Sequence, residues 1–226
     1  MAGQDVKFTT RNNESYDGYV SAPAGEGKSP AILLITAIFG ADEEMRKLSD
    51  DYARDGFLVY TPDVFWRTMP GPTHDFGKAI ARYESFDQAQ GLRDMEDLMK
   101  AIRSDPRCNG KVAALGFCFG GLYAYLAAAR LGANAAGAYH GTKIGDHLDE
   151  VGKVAVPVSF HYGKEDPIVP LAEVDAVQKA FAGRANATVA LHEGATHNFS
   201  MPTKDGYHPA VAAASREAVL SAFRSM

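Results

Sequence analysis

The stretch KVAALGFCFGGLYAYLAAAR constrains the fold of this chain more than any other. It passes from an apolar run, residues 111–117, into an Ala-rich helical run that ends near Leu131. Gly116 and Gly120 stand two residues before and two residues after Cys118. A strand that turns directly into a helix brings these two positions together, so glycine is favoured at both. The pattern predicts a nucleophile elbow, with Cys118 at its apex on a strained backbone.

Short apolar runs alternate with amphipathic stretches along the rest of the chain. Near-continuous apolar runs such as AILLITAI, 31–38, suit strands buried on both faces of a parallel sheet. The alternation predicts an α/β fold, with a mostly parallel central sheet and helices on both faces. VKFTT and SYDGYVSAP are expected to form an opening antiparallel pair, and 64–86 a loop or short helix. Further strands are expected at 57–63, 111–117, AAGAYH, VAVPVSFHYG and ATVALHEG, and helices at 41–56, 87–105, 170–182 and 207–225.

Length, charge and cysteine usage narrow the class of protein. With about 150 residues per domain as a guide and no linker-like stretch, residues 1–226 are expected to form a single domain. The net charge of −5 gives no reason to expect a nucleic-acid partner. The sequence shows no secretory leader and no run near the roughly 18 apolar residues of a membrane span, which predicts a cytoplasmic protein with reduced thiols. Cys108, in DPRCNGK, is expected in a loop.

A nucleophile needs a base and a group that orients the base, and two later segments supply candidates. FHYGKEDPIVP carries Asp166 just beyond a predicted strand, and LHEGATHNF carries His197 beyond another. The order Cys118, Asp166, His197 is the chain order of α/β-hydrolases. Strand ends of this kind meet at the edge of an open sheet where active sites lie. Glu165 competes for the role of the acid, but Asp166 is favoured because it lies farther beyond the strand.

The remaining histidines are expected to have other roles. His192 and His197 are five residues apart, one more than in the HExxH zinc motif, so no metal site is expected. His161 lies in the middle of a predicted strand and is interpreted as structural. His140 ends the run AGAYH and is a candidate to line the site. Surface or loop positions are expected for His74, His147 and His208.

With these segments in view, nearly the whole chain resembles the dienelactone hydrolase family, the carboxymethylenebutenolidases. The resemblance runs from AIFGADEEMRKLSDDYARDGFLVYTPDVFWR through the cysteine elbow to FHYGKEDPIVP and GATHNF. It implies a single α/β-hydrolase domain that needs no metal or cofactor. It also implies that Cys118 is the nucleophile, His197 the base and Asp166 the orienter. The backbone N–H groups of Ile38 and Phe119 would form the oxyanion hole.

The chain departs from the family at positions that concern the substrate. Well-known members carry a Glu before the Ile-Phe-Gly of the early strand end, and Ala37 stands there in this chain. They hold the substrate carboxylate with two arginines, and an ungapped alignment puts Phe76 and Met201 at those places. Arg67 is a candidate for a substitute cation, as are Lys78 and Arg82.

The combined expectation is a hydrolase that cleaves an ester or lactone through a Cys-His-Asp triad and a thioester acyl-enzyme. The partner is a small-molecule ester or lactone, with no nucleic acid and no membrane, and the protein is expected to be a monomer or small homo-oligomer. Two alternatives stay open. One is a thioesterase or other carboxylic-ester hydrolase with a different substrate, and the other is a non-catalytic relative that binds a small molecule.

Overall fold

The computed structural model describes residues 3–226, which cluster into two compact units. One unit ends at Ala113 and the other comprises Ala114–Met226. The boundary falls inside a strand, β5 (Cys108–Phe117), whose residues are therefore divided between them. The expectation of one domain over residues 1–226 stays a prediction.

The first unit contains the predicted antiparallel pair and a parallel pair. β1 (Gln4–Thr9) runs antiparallel to β2 (Ser15–Ser21), which confirms the expected opening hairpin. β2 is also antiparallel to β4 (Leu58–Pro62), and β4 is parallel to β3 (Ser29–Ile35). The helices of this unit are α1 (Glu43–Arg54), α2 (Phe76–Glu84) and α3 (Gln88–Ser104). Each begins after an aspartate that accepts a hydrogen bond from the N–H three residues on, namely Asp42, Asp75 and Asp87.

The second unit contains the end of β5 and three further parallel strands. β6 (Ala135–Tyr139) is parallel to β7 (Val158–Gly163), and β7 is parallel to β8 (Ala187–His192). The helices are α4 (Phe119–Arg130), α5 (Leu171–Phe181) and α6 (Pro209–Arg224). A kinked 3₁₀ helix, Ile144–Lys153, lies between β6 and β7 in the chain and was not predicted.

Two neighbouring residues of β6 show that helices pack on both faces of this strand. A Cβ added to Gly137 would lie 2.9 Å from Val219 Cγ1 of α6. A Cβ added to Gly121 of α4 would lie 3.4 Å from Ala138 Cβ. Successive side chains of a strand point to opposite faces, so α6 and α4 pack against opposite sides of β6. The mostly parallel sheet and its helices confirm the predicted α/β-hydrolase fold.

Two local expectations need correction, and a third agrees with the structure. Cys108 is the first residue of β5 and is buried, so it is not a loop residue. The apolar run 31–38 is a strand only as far as Ile35. The helix α2 occupies the second half of the segment 64–86, which agrees with the short helix allowed there.

Within residues 3–226, no helix combines the length and apolar character needed to cross a membrane. The cytoplasmic location stays a prediction.

Candidate active site

Cys118 lies at a sharp corner between β5 and α4. Its φ and ψ of 51° and −114° belong to a region that residues other than glycine rarely adopt. Hydrogen bonds hold this conformation, because the N–H of Cys118 donates to Tyr139 O at 3.0 Å. The carbonyl of Cys118 accepts from Gly121 N at 2.9 Å and from Thr142 N at 3.2 Å. The half-buried thiol thus sits on a fixed backbone at the N-terminus of α4.

The glycines around Cys118 are required by close approach of the backbone. A Cβ on Gly116 would lie 2.0 Å from the carbonyl oxygen of Gly120, well inside contact distance. A Cβ on Gly121 would lie 2.5 Å from Gly141 Cα, in the segment that follows β6. The tight elbow predicted from the glycine spacing is therefore present, and it packs directly against the end of β6.

His197 and Asp166 are hydrogen-bonded to each other. His197 Nδ1 lies 2.7 Å from Asp166 Oδ2, and both side chains are almost fully buried. Asp166 Oδ1 accepts hydrogen bonds from the N–H groups of Ile168, at 2.7 Å, and Val169, at 3.1 Å. Glu165 is exposed, so Asp166 is the acid that contacts the histidine. The two N–H groups were missed from the sequence, although an Asp-Pro turn often bonds the backbone two residues on.

The electrostatics around His197 favour its protonated form. Burial lowers the pKa of His197, but the hydrogen bond with Asp166 and the neighbouring Cys118 outweigh burial and raise the pKa to about 9. His197 Nε2 is buried and makes no hydrogen bond of good geometry, even though Cys118 interacts with the ring. Cys118 and His197 are thus neighbours without a well-formed hydrogen bond to Nε2, and catalytic hydrogen bonds are often long before substrate binds.

His140 lies against His197. The two ring centroids are 4.3 Å apart with an interplanar angle of 51°. The His140 side chain is buried, and its Nε2 lies 3.4 Å from Ser200 Oγ. Its pKa is held well below the ordinary value by burial and by the adjacent His197. The expectation that His140 lies near the site agrees with this contact, whereas Ser200 carried no signal in the sequence.

The other histidines form separate contacts. His161 is buried within β7 and lies 2.8 Å, through Nε2, from Ser159 Oγ. Its Nδ1 lies 3.0 Å from His192 Nε2, so His192 is engaged with His161 in a two-histidine pair. Burial lowers the pKa of His161 to about 3. Among residues 3–226, no group of three or more His, Cys, Asp or Glu side chains is arranged to hold a metal ion.

Two further predicted residues of the second unit are placed by the fold. Phe119 is the first residue of α4 and is buried, with its ring 4.7 Å from that of Tyr123. Its backbone N–H belongs to the first turn of the helix, where N–H groups lack acceptors within the helix itself. Met201 is buried in the loop that follows His197.

Three predicted residues discussed next, Ala37, Ile38 and Phe76, belong to the first unit. Ala37 and Ile38 lie in a turn beyond β3 that is closed by a hydrogen bond from Gly40 N to Ala37 O. Phe76 is the first residue of α2, and 66% of it is exposed. The oxyanion role of Ile38 and the substrate roles of Ala37 and Phe76 stay predictions.

Arg67 is not a free cation, contrary to the expectation from the sequence. Its Nη1 and Nη2 donate to both carboxylate oxygens of Glu14 at 2.9 and 2.7 Å. Its Nε donates to Asp94 at 2.8 Å, and its guanidinium lies 3.9 Å from the ring centroid of Trp66. The guanidinium N–H groups are thus bonded to Glu14 and Asp94, and its planar face packs on Trp66. Arg67 is therefore part of an ion-pair cluster within its own unit.

Comparisons with known proteins agree with the fold. The profile of the dienelactone hydrolase family matches residues 16–226. A carboxymethylenebutenolidase of Pseudomonas putida is 30% identical over 215 residues, which cover 90% of this chain and 91% of the relative. A candidate dienelactone hydrolase from Klebsiella pneumoniae superposes with a TM-score of 0.88 at 23% identity, covering all of both chains. A dienelactone hydrolase-like promiscuous phosphotriesterase from metagenomic libraries has a TM-score of 0.82 at 23% identity, covering 100% of this chain and 99% of that one.

Proposed function

The chain belongs to the dienelactone hydrolase family and is a hydrolase of ester or lactone bonds, and from this premise we propose that Cys118, His197 and Asp166 are its catalytic triad. In this proposal Cys118 is the nucleophile, His197 the general base and acid, and Asp166 the residue that orients His197. The substrate is a small-molecule carboxylic ester or lactone, and the reaction passes through a thioester.

One observation carries the proposal. The hydrogen bond of 2.7 Å between His197 Nδ1 and Asp166 Oδ2 fixes one end of an imidazole whose other nitrogen faces no well-formed partner. That imidazole neighbours Cys118, which occupies a strained apex at the start of a helix. Covalent acyl transfer needs a nucleophile beside a base and a third group that orients the base. Cys118, His197 and Asp166 are neighbours in this order.

The first half of the reaction forms the acyl-enzyme. His197 holds the proton of Cys118, and the thiolate is favoured by the imidazolium and by the positive end of the α4 dipole. The thiolate attacks the carbonyl carbon, and the oxyanion that forms accepts a hydrogen bond from the N–H of Phe119. When the tetrahedral intermediate collapses, the C–O bond breaks and the leaving oxygen takes the proton from His197. A thioester on Cys118 remains.

The second half releases the product. His197, now neutral, removes a proton from a water molecule, and the hydroxide attacks the thioester carbonyl. Collapse of the second intermediate breaks the C–S bond, and the carboxylic acid leaves as the thiolate and imidazolium are restored. Asp166 keeps its charge throughout, because its role is to hold the ring and to stabilise the imidazolium.

The test is stopped-flow hydrolysis of p-nitrophenyl acetate by the wild type, Cys118→Ala and Cys108→Ser. We expect a burst of nitrophenolate near one equivalent in the wild type, because acylation is expected to precede a slower hydrolysis of the thioester. Cys108→Ser is the matched control, since it removes the other cysteine, which is buried in β5. The burst should persist in Cys108→Ser and vanish in Cys118→Ala. Equal esterase activity in wild type and Cys118→Ala would refute the proposal.

A further inference from the structure

The backbone around His140 is held in an unfavourable conformation by contacts with Cys118. His140 has a φ of 43°, although it is not glycine. The residue before it, Tyr139, accepts a hydrogen bond from Cys118 N, and Thr142 N donates to Cys118 O. His140 N itself donates to His161 O at 2.7 Å. Strained conformations persist where the surroundings fix them, and they concentrate at functional sites.

The side chain of His140 is equally fixed. Its ring centroid lies 6.2 Å from that of Phe117 and 5.9 Å from that of Phe199, and Ser200 lies against Nε2. The fourth neighbour is the ring of His197, at 4.3 Å. His140 therefore links the backbone that carries Cys118 to the ring of His197.

His197 needs such a neighbour. Its hydrogen bond to Asp166 fixes Nδ1 alone, and a ring held at one point can pivot about that bond. A pivot would carry Nε2 away from Cys118. The packed ring of His140 lies beside the His197 ring and restricts this rotation.

The identity of residue 140 requires a further explanation. Nδ1 of His140 is buried and has no hydrogen-bond partner, which is unfavourable for a polar atom. A phenylalanine would fill similar space without that unfavourable term. A polar but uncharged ring beside His197 is an advantage. Its dipole can stabilise the positive charge of an imidazolium that is shielded from water. The groups that raise the pKa of His197 are Asp166 and Cys118.

Resting on the proposed function, we propose that His140 is a positioning residue, whose ring fixes the His197 imidazole beside Cys118 and whose nitrogens keep that contact polar without adding charge. Burial and the adjacent His197 keep His140 neutral. His140 acts through His197 and makes no bond to the reacting atoms.

The experiment compares His140→Phe, His140→Asn and His74→Asn in a Cys108→Ser background. Phenylalanine keeps the ring and removes the nitrogens, whereas asparagine tolerates positive φ and removes the ring. His74 is exposed in the first unit and controls for loss of a histidine. The measurements are the acylation rate with p-nitrophenyl acetate, its half-saturation concentration, and the pH midpoint of Cys118 alkylation by iodoacetamide.

Acylation of both His140 variants should be at least about tenfold slower than that of the Cys108→Ser parent. The half-saturating concentration of p-nitrophenyl acetate should change by less than about threefold. The alkylation midpoint should rise by about 0.5 pH unit or more, because a less stabilised imidazolium stabilises the thiolate less. His74→Asn should match the parent. Unchanged acylation, or slower acylation with an unchanged midpoint, would overturn the inference. If the parent itself shows no burst, the proposed function fails, while the midpoint still tests the contact between His140 and His197.

Discussion

Replacing Asp166 by Asn changes the charge beside His197 while leaving most of the local geometry possible. Asp166 Oδ1 accepts from Ile168 N and Val169 N, and an amide oxygen can accept the same two bonds. What is lost is the negative charge next to His197 Nδ1. Asp166→Asn is therefore expected to fold and to carry a His197 with a much lower pKa.

The magnitude follows from the pKa of His197. The pKa is about 9 in the folded protein and about 6.5 in an unfolded chain. Since one pKa unit corresponds to about 1.4 kcal/mol, protonated His197 contributes on the order of 3 kcal/mol to the free energy of unfolding. Because the pKa of His197 is raised in the folded protein, this stabilisation is complete below about pH 6.5. It is lost as the pH rises from there through about 9. In Asp166→Asn only Cys118 still opposes the lowering effect of burial on the pKa of His197, so much of this stabilisation disappears.

The assay is urea-induced unfolding of the wild type and Asp166→Asn across pH 6 to 10. At pH 6 the variant should be less stable by up to about 3 kcal/mol, and the difference should shrink between about pH 6.5 and pH 9. Glu165→Gln is the matched control, because this exposed neighbouring carboxylate should leave the profile unchanged. The acylation rate of Asp166→Asn should fall about a hundredfold or more. A stability difference that is the same at every pH would refute the charge coupling between Asp166 and His197.

Two further substitutions test the elbow and the ion-pair cluster. Gly116→Ala should destabilise the fold by about 3 kcal/mol or more, since its Cβ would lie 2.0 Å from the carbonyl oxygen of Gly120. Gly152→Ala, where a Cβ meets no atom within 4 Å, should change stability by less than about 0.5 kcal/mol, and equal effects in thermal unfolding would contradict the packing argument. Arg67→Met should lower the unfolding midpoint by a few degrees, because Glu14 loses its partner. The KM of this variant for an anionic ester should stay within about twofold of the wild-type value. A tenfold higher KM would instead show that Arg67 binds the anionic substrate.

The elbow was predictable because its cause is local. The spacing of Gly116 and Gly120 about Cys118 follows from one turn of chain, and the strand and helix that flank it have clear apolar patterns. The loop that holds Asp166 is local as well, since its bonding partners are two and three residues away. Features of this kind can be read from a sequence without knowledge of the tertiary structure.

Cys108 and the 3₁₀ helix show the opposite case. DPRCNGK has the composition of a turn, yet Cys108 begins β5, and Gly110 within that strand has a φ of 92°. The 3₁₀ helix Ile144–Lys153 depends on distant partners, since Glu173 accepts from Gly145 N and Tyr125 donates to His147 O. Local propensity does not depend on such distant partners. The sequence therefore predicted neither the start of β5 at Cys108 nor the 3₁₀ helix.

Arg67 and His140 show the same limit within the candidate machinery. A sequence reveals that a cation is present, but the partners of Arg67 lie 53 residues before it and 27 residues after it. His140 is 57 residues from the histidine that its ring contacts. Its unusual backbone is fixed by its own bond to His161 O and by the bonds that Tyr139 and Thr142 make to Cys118. Whether a charged or titratable side chain is free to act is decided by its tertiary neighbours. The residue type predicts the chemistry that is available, and the fold decides which copies of that residue type can perform it.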